Sequence, residues 1–182
     1  MRPPSECRWS FPSRDQWDVD DDVVAVGADL APDTLLFAYA HGMFPMFIDK
    51  RHSQLGWWSP VQRGVIPLDG LRVTQSMKKS ARKFRCTVNL AFNEVMSACA
   101  TTHTQGNWID HKFIAAYSEL HRLGVAHSVE VWNHNDELVG GVYGVRINNF
   151  FAGESMFHLE RDASKVALMF LVELMNLAGM TL

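Results

Sequence analysis

The feature that most constrains this chain is an alternation of apolar and polar residues between residues 126 and 157. The alternation predicts three strands, Ala126–Trp132, Glu137–Ile147 and Phe150–Phe157, separated by short turns rich in asparagine. Strands joined by such short turns pair in an antiparallel sheet. A helix from about residue 162 to 178 follows, and it is apolar on nearly every side, so we expect most of its surface to be buried. Residues 180–182 read as the start of a further strand.

The segment before this meander contains four predicted helices, at about residues 32–41, 76–83, 91–101 and 110–124. Short strands are predicted at residues 65–66 and 85–89. Residues 1–30 are expected to be mostly irregular. The aromatic, proline-containing stretch 44–60 fits neither regular element.

This order of elements is typical of an α+β fold. It predicts a small N-terminal subdomain over residues 1–63, and a domain over residues 64–182 with a mainly antiparallel sheet flanked by helices. Of the 182 residues, 47% are hydrophobic and 20% are charged, which is the balance of a globular protein and not of a disordered one.

Several protein classes are disfavoured by the composition. Cys7, Cys86 and Cys99 show no C-x-x-C spacing, which argues against a disulfide framework or a zinc site and favours a reducing cytoplasm. The eight histidines are scattered, so we expect no metal. The N-terminus lacks a signal-peptide pattern, and no uncharged apolar run approaches the ~20 residues that cross a bilayer. Neither a phosphate-binding loop nor a serine-hydrolase turn is found.

Glu154 is the most informative polar residue of the meander, because its neighbours include Phe150, Phe151, Met156 and Phe157. A buried carboxylate needs a cationic or hydrogen-bonding partner, and the α-amine of a bound amino acid is one candidate. The alternative is that strand alternation points Glu154 into solvent. The pattern leaves both open.

Three glycines and a run of basic residues give weaker indications of a binding site. Gly140, Gly141 and Gly144 lie inside a predicted strand, where glycine marks either a bulge or the close approach of a ligand. The basic run could follow a phosphate backbone, although most charge runs are only solvated surfaces. Its cations are Lys78, Lys79, Arg82, Lys83 and Arg85.

Ordered blocks along the chain resemble one known family. They include Gly27-Ala28-Asp29-Leu30, Gly42-Met43-Phe44-Pro45, Trp57-Trp58-Ser59-Pro60, Trp108-Ile109, Ala126-His127-Ser128, Gly140-Gly141-Val142-Tyr143-Gly144 and Gly153-Glu154-Ser155-Met156-Phe157. The pattern is similar to the leucyl/phenylalanyl-tRNA–protein transferases and covers nearly the whole chain from about residue 23. The resemblance implies a GNAT-like acyltransferase domain after the N-terminal subdomain.

The same resemblance implies a cytoplasmic, monomeric aminoacyltransferase that needs no cofactor. Such an enzyme moves leucine or phenylalanine, in some cases methionine, from its tRNA to proteins that begin with arginine or lysine, and so creates an N-degron for proteolysis. One alternative is a tRNA-binding remnant of the family without catalysis. A coenzyme A-dependent N-acyltransferase is disfavoured, because residues 158–163 lack the pyrophosphate loop of that group.

Site residues follow from the resemblance position by position. An apolar pocket for the amino-acid side chain would be formed by Phe151, Met156 and Leu168. Glu154 would orient the aminoacyl end, while Trp108 and Tyr117 would hold the terminal adenosine by stacking and by hydrogen bonding. The cations between Lys78 and Arg85 would contact phosphates of the acceptor stem.

Three departures from the family pattern qualify these roles. Met46 stands where the family usually has tryptophan, so a flexible apolar side chain replaces a stacking platform in the substrate site. Gln75 replaces a usual arginine, which removes one phosphate contact. The family pattern continues with a strand reading Ile-Asp-Cys-Gln, whose aspartate and glutamine belong to the catalytic centre and would follow Leu182. We therefore expect a chain truncated at its C-terminal end, with a recognisable but incomplete site.

Overall fold

A computed structural model describes residues 6–49, 51–102 and 108–182. Within these ranges the helices are α1 (Pro32–Ala40), α2 (Gln75–Ala81), α3 (Phe92–Thr102), α4 (His111–Arg122) and α5 (Ala163–Leu177). The strands are β1 (Val23–Val26), β2 (Phe44–Phe47), β3 (Leu55–Trp58), β4 (Arg85–Val88), β5 (Ala126–Trp132), β6 (Leu138–Ile147) and β7 (Phe150–His158). None of the helices in these ranges has the length and apolar character needed to span a membrane.

A small antiparallel sheet forms in the N-terminal third of the chain, with the strand order β1-β3-β2. Trp57 in its central strand is fully buried, and its indole N–H donates to the carbonyl oxygen of Gly27 at 2.8 Å. The indole N–H of Trp58 donates to the carbonyl oxygen of Met46 at 3.0 Å. The bond from the half-buried Trp58 ties the edge strand β2, and with it Met46, to the central strand β3.

The larger sheet is an antiparallel meander with the order β4-β5-β6-β7. Its two faces are covered by different helices: α3 and α4 lie on one face, and α5 with α2 lies on the other. The first face carries the main core, which includes Phe113, Tyr143 and Phe157, and the second carries a smaller core around Val129 and Val166. This gives three layers, as expected for an α+β domain whose sheet is buried on both sides.

Gly140 allows α5 to pack directly against β6. A Cβ atom at this position would lie 2.6 Å from the Cβ of Ala163, the first residue of α5. This glycine therefore serves close packing between helix and sheet, and not the approach of a ligand.

Most of the predicted elements of the larger sheet and its helices are confirmed. Asp110 caps α4, because its carboxylate accepts hydrogen bonds from the backbone N–H groups of Lys112 and Phe113 at 2.8 and 3.0 Å. The buried face of α3 consists of the predicted residues Phe92, Val95, Met96 and Cys99. The basic helix ends at Ala81, two residues earlier than predicted.

The N-terminal prediction is wrong in two places. Strands β1, β2 and β3 lie within segments expected to be irregular, and residues 65–66, predicted as a strand, form no regular element. Strands of four residues offer too few alternations to recognise, and Pro45 with the adjacent aromatic residues obscures the pattern further. Residues 1–5 of the expected irregular segment lie outside the described ranges.

Leu182 begins to pair with β7. Its N–H donates to the carbonyl oxygen of Asn149 at 3.2 Å, and its own carbonyl oxygen accepts from the N–H of Phe151 at 2.8 Å. Two bonds from one residue to positions on either side of Phe150 are the pattern of a parallel pair. The predicted return of the chain to the sheet after α5 is confirmed at this residue.

Candidate functional site

A β-bulge in β7 determines where Glu154 points. Tyr143 of β6 pairs with Ser155 and Gly144 pairs with Gly153, so Glu154 has no partner in the register. A bulge can turn two consecutive side chains towards the same face of the sheet. Ser155 interacts with Cys99 of α3, and Glu154 interacts with Tyr39 of α1 and Tyr117 of α4. The solvent-facing alternative for Glu154 is therefore not what the structure shows.

Two buried tyrosines form the floor beneath Glu154. The hydroxyl oxygens of Tyr39 and Tyr117 lie 2.5 Å apart, and both residues are almost completely buried. Burial, together with the negative charge of Glu154, raises the pKa of each tyrosine well above its usual value. Both hydroxyls therefore stay protonated at neutral pH; one proton bridges the two tyrosine oxygens, and the other can be donated to the carboxylate.

Opposing effects set the pKa of Glu154. Burial raises it from 4.5 to about 7, while the hydrogen bond from Tyr39, the charge of Arg63 and the hydrogen bond from Tyr117 oppose the rise. A carboxyl group with a pKa of about 7 exists in both protonation states near neutral pH. It can therefore accept a hydrogen bond from an amine or take up a proton.

Glu154 opens onto an apolar cavity of about 670 Å³ at the outer edge of β7. The lining comes from both sides of the sheet: Tyr39 and Trp108 belong to the α3–α4 side, whereas Val142 and Leu171 belong to the α5 side. Among the described residues that line it, Glu154 has the only carboxylate side chain and Arg63 the only cationic side chain. A cavity of this size with few polar groups is typical of a site for a small ligand or a ligand group.

Most of the predicted substrate-binding residues come together in this cavity. Its lining includes Met46, Trp108, Phe151, Met156 and Leu168 as well as Glu154. They come from β2, the segment before α4, β7 and α5, which are far apart in the sequence. The structure places these side chains around one cavity, and the role of each in substrate binding stays a prediction.

Tyr117 is placed differently from the prediction. It is fully buried and does not line the cavity, and its hydroxyl group is engaged with Tyr39 and Glu154. This placement favours a role in holding Glu154 over direct contact with an adenosine.

Sequence reasoning missed the contributions of Tyr39, Arg63, Val142 and the residues of α5 beyond Leu168. Tyr39 lies in a predicted helix, and Arg63 falls at the predicted subdomain boundary, so neither carries a sequence signal of its own. Only the tertiary arrangement brings them to the cavity.

The basic run lies outside the cavity lining. Lys78 and Lys79 are exposed on α2, while Arg82 and Lys83 follow the helix and are also exposed. Arg85 lies in β4, where it pairs with Asp136 at 2.7 Å and covers the ring of Trp132. In the described part of the chain, no group of three or more histidines, cysteines or carboxylates is placed to bind a metal ion.

The antiparallel meander, flanked by helices on both faces and followed by a helix that returns to the sheet, defines an α+β fold whose bulge opens onto an apolar cavity. Comparison with known sequences identifies the family. Residues 65–182 match the family described as leucyl/phenylalanyl-tRNA protein transferase, and residues 28–61 match the N-terminal domain of the same family. The chain therefore belongs to the leucyl/phenylalanyl-tRNA–protein transferase family.

Similar proteins of that name occur in several bacteria. The protein of Pseudoalteromonas atlantica is 50% identical over 161 residues, which cover 86% of this chain and 68% of the relative. The protein of Tolumonas auensis is 47% identical over 150 residues, 80% of this chain and 63% of the relative. That of Psychrobacter arcticus is 41% identical over 184 residues, 96% of this chain and 68% of the relative. The chain thus spans about two thirds of the length of these relatives.

Proposed function

We propose that this protein transfers leucine or phenylalanine from aminoacyl-tRNA to the N-terminal arginine or lysine of acceptor proteins. The observation that carries the proposal is the apolar cavity in which Glu154 has the only carboxylate side chain among the described lining residues, in a chain of the transferase family. Methionine is a further donor by the same reasoning, since it is unbranched and apolar. The product would carry an N-degron, and we propose a cytoplasmic monomer as the working form.

The two sides of the cavity suit the two parts of the donor. On the α5 side, Phe151, Met156 and Leu168 offer an apolar surface for the amino-acid side chain. On the other side, Trp108 and Met46 offer the surface for the terminal adenosine, with Trp108 as the stacking partner and Met46 as an apolar contact. Glu154, between them, would accept a hydrogen bond from the donor's α-amino group.

The exposed cations Lys78, Lys79, Arg82 and Lys83 would contact phosphates of the acceptor stem. Such contacts position a nucleic acid without reading its sequence. Arg85 is less suited than these four cations to bind a phosphate, because its guanidinium is already paired with Asp136.

The reaction is aminolysis of an ester. The neutral α-amine of the acceptor attacks the aminoacyl carbonyl, the new C–N bond forms, and the bond to the ribose oxygen breaks. The proton lost by the amine ends on the ribose hydroxyl, so atoms and charges balance without ATP. The contribution of the described residues is to hold the donor ester in place and to keep water from it.

A transfer assay tests the proposal. The purified chain is incubated with radiolabelled leucyl-tRNA and two peptides that differ only in an N-terminal arginine or alanine. We expect label in the arginine peptide alone. Binding of leucyl-tRNA without any transfer would instead support the non-catalytic alternative, and equal labelling of both peptides would contradict the proposed acceptor.

A further inference from the structure

Arg63 occupies a defined position at the cavity, outside every regular element. One of its terminal nitrogens, Nη2, donates to the carbonyl oxygen of Gly42 at 2.7 Å, and its Cζ lies 5.6 Å from the centre of the Phe44 ring. A hydrogen bond and a cation–π contact fix a guanidinium that is otherwise exposed. The side chain is therefore held in place before a ligand arrives.

The charge of Arg63 is not neutralised by a neighbouring carboxylate. None of the ion pairs among the described residues includes Arg63, although its charge is one of the effects that lower the pKa of Glu154. Among the described residues, only one of its five N–H groups donates a hydrogen bond, the one to Gly42. The remaining edge of the guanidinium is available for two parallel hydrogen bonds, the geometry that matches a phosphate.

The proposed donor carries one anionic group close to its reactive end. If the adenosine lies against Trp108 and the side chain lies on the α5 side, the phosphodiester 5′ to that adenosine is the nearest negative charge. The acceptor's N-terminal arginine or lysine is a cation, which the charge of Arg63 would repel. An anion of the donor is therefore the better partner for this residue.

We propose that Arg63 binds the phosphodiester 5′ to the terminal adenosine of the donor, a contact separate from those of the basic run. This inference rests on the proposed function. It assigns Arg63 to substrate binding at the cavity, where it fixes the distance between the nucleotide and Glu154.

The test uses two non-hydrolysable probes, 3′-leucylamino-3′-deoxyadenosine and its 5′-monophosphate, whose dissociation constants are measured by calorimetry. For the unchanged protein we expect the phosphate to tighten binding by about tenfold at low salt, with a smaller gain as salt increases. In Arg63→Gln the gain falls below about twofold, while binding of the nucleoside probe stays unchanged. Arg63→Lys keeps part of the gain, because it keeps the charge without the planar fork.

Arg72→Gln is the matched control, since Arg72 is an exposed cation that does not line the cavity. We expect it to keep the full tenfold gain. A full gain in Arg63→Gln, or equal losses for both probes, would overturn the inference. A wild-type protein that binds the nucleoside without any gain from phosphate would overturn it as well. Failure of the wild-type protein to bind either probe would contradict the proposed function itself.

Discussion

At the scale of single residues, the site depends on one residue without a cross-strand partner. Because Glu154 is the extra residue of the bulge, its carboxylate is directed onto Tyr39 and Tyr117 in place of solvent. The same enclosure that raises its pKa to about 7 makes its ionised form costly to the fold. The proposed role of Glu154 in donor binding is therefore opposed to stability at this position, as is common at sites that use a buried ionisable group.

Glu154→Gln should raise stability in a pH-dependent way. The folded-state pKa of about 7 lies above the unfolded value of 4.5, so the wild-type protein loses stability as pH rises from 4.5 to 7. The variant avoids this loss and should be more stable at pH 8 by on the order of 2 kcal/mol. Urea unfolding of both proteins between pH 4 and 8 measures the difference, which should vanish near pH 4.5.

The control is Glu94→Gln, which changes an exposed carboxylate on α3. It should show no comparable pH-dependent gain. A Glu154→Gln variant that is less stable than wild type at pH 8 would contradict the burial of the charge.

At the scale of elements, Gly144 allows the close approach of β6 and β7 at the bulge. A Cβ atom at Gly144 would lie 2.2 Å from the carbonyl oxygen of Ala152 and 2.5 Å from the ring of Phe151. At Gly153, the partner of Gly144, a Cβ atom would meet nothing within 4 Å. The two glycines therefore have different roles in the same pair of strands.

Gly144→Ala should destabilise the protein by about 2–4 kcal/mol, because a backbone oxygen must move to make room. Gly153→Ala should change the free energy of unfolding by no more than about 0.5 kcal/mol. Chemical denaturation of both variants measures these values. Equal effects of the two substitutions would show that the described register is wrong.

Helix α5 contributes one wall of the cavity. Two substitutions on this helix, one inside the cavity and one outside it, test this assignment. Leu168 lines the cavity, whereas Leu177 is 79% exposed near the end of the helix. Leu168→Trp should fill space needed by the donor side chain and weaken binding of the leucylamino nucleoside by at least about tenfold. Leu177→Trp, read in the same calorimetric titration, should leave the affinity unchanged.

At the scale of the whole molecule, the meander and the helices around it could be predicted from the sequence. Long, regular patterns in β5, β6 and α4 repeat often enough to distinguish strand from helix. The short strands β1–β3 could not be predicted, because four residues are too few to show the alternation of a strand. Pro45 in β2 and the two consecutive tryptophans in β3 obscure the pattern further. Several substrate-site positions were found by resemblance to the family and not by periodicity.

The other features of the site depend on tertiary structure, which the sequence patterns do not reveal. A bulge is a mismatch between two strands, so the sequence of β7 alone cannot reveal the orientation of Glu154. The involvement of Tyr39 and Arg63 depends on how α1 packs against β6 and α4, and on how the N-terminal sheet packs against α4. The hydrogen bond from Tyr39 and the charge of Arg63 both act on Glu154, which lies more than ninety positions away from either residue in the chain.

The central claim is that the cavity beside Glu154 receives the apolar amino acid of a donor. Calorimetric binding of 3′-leucylamino-3′-deoxyadenosine, compared with its aspartyl counterpart, tests this claim most directly. We expect the leucyl compound to bind at least about tenfold more tightly, because an aspartyl carboxylate would be buried beside apolar side chains and Glu154. Equal affinity for the two compounds would contradict the account.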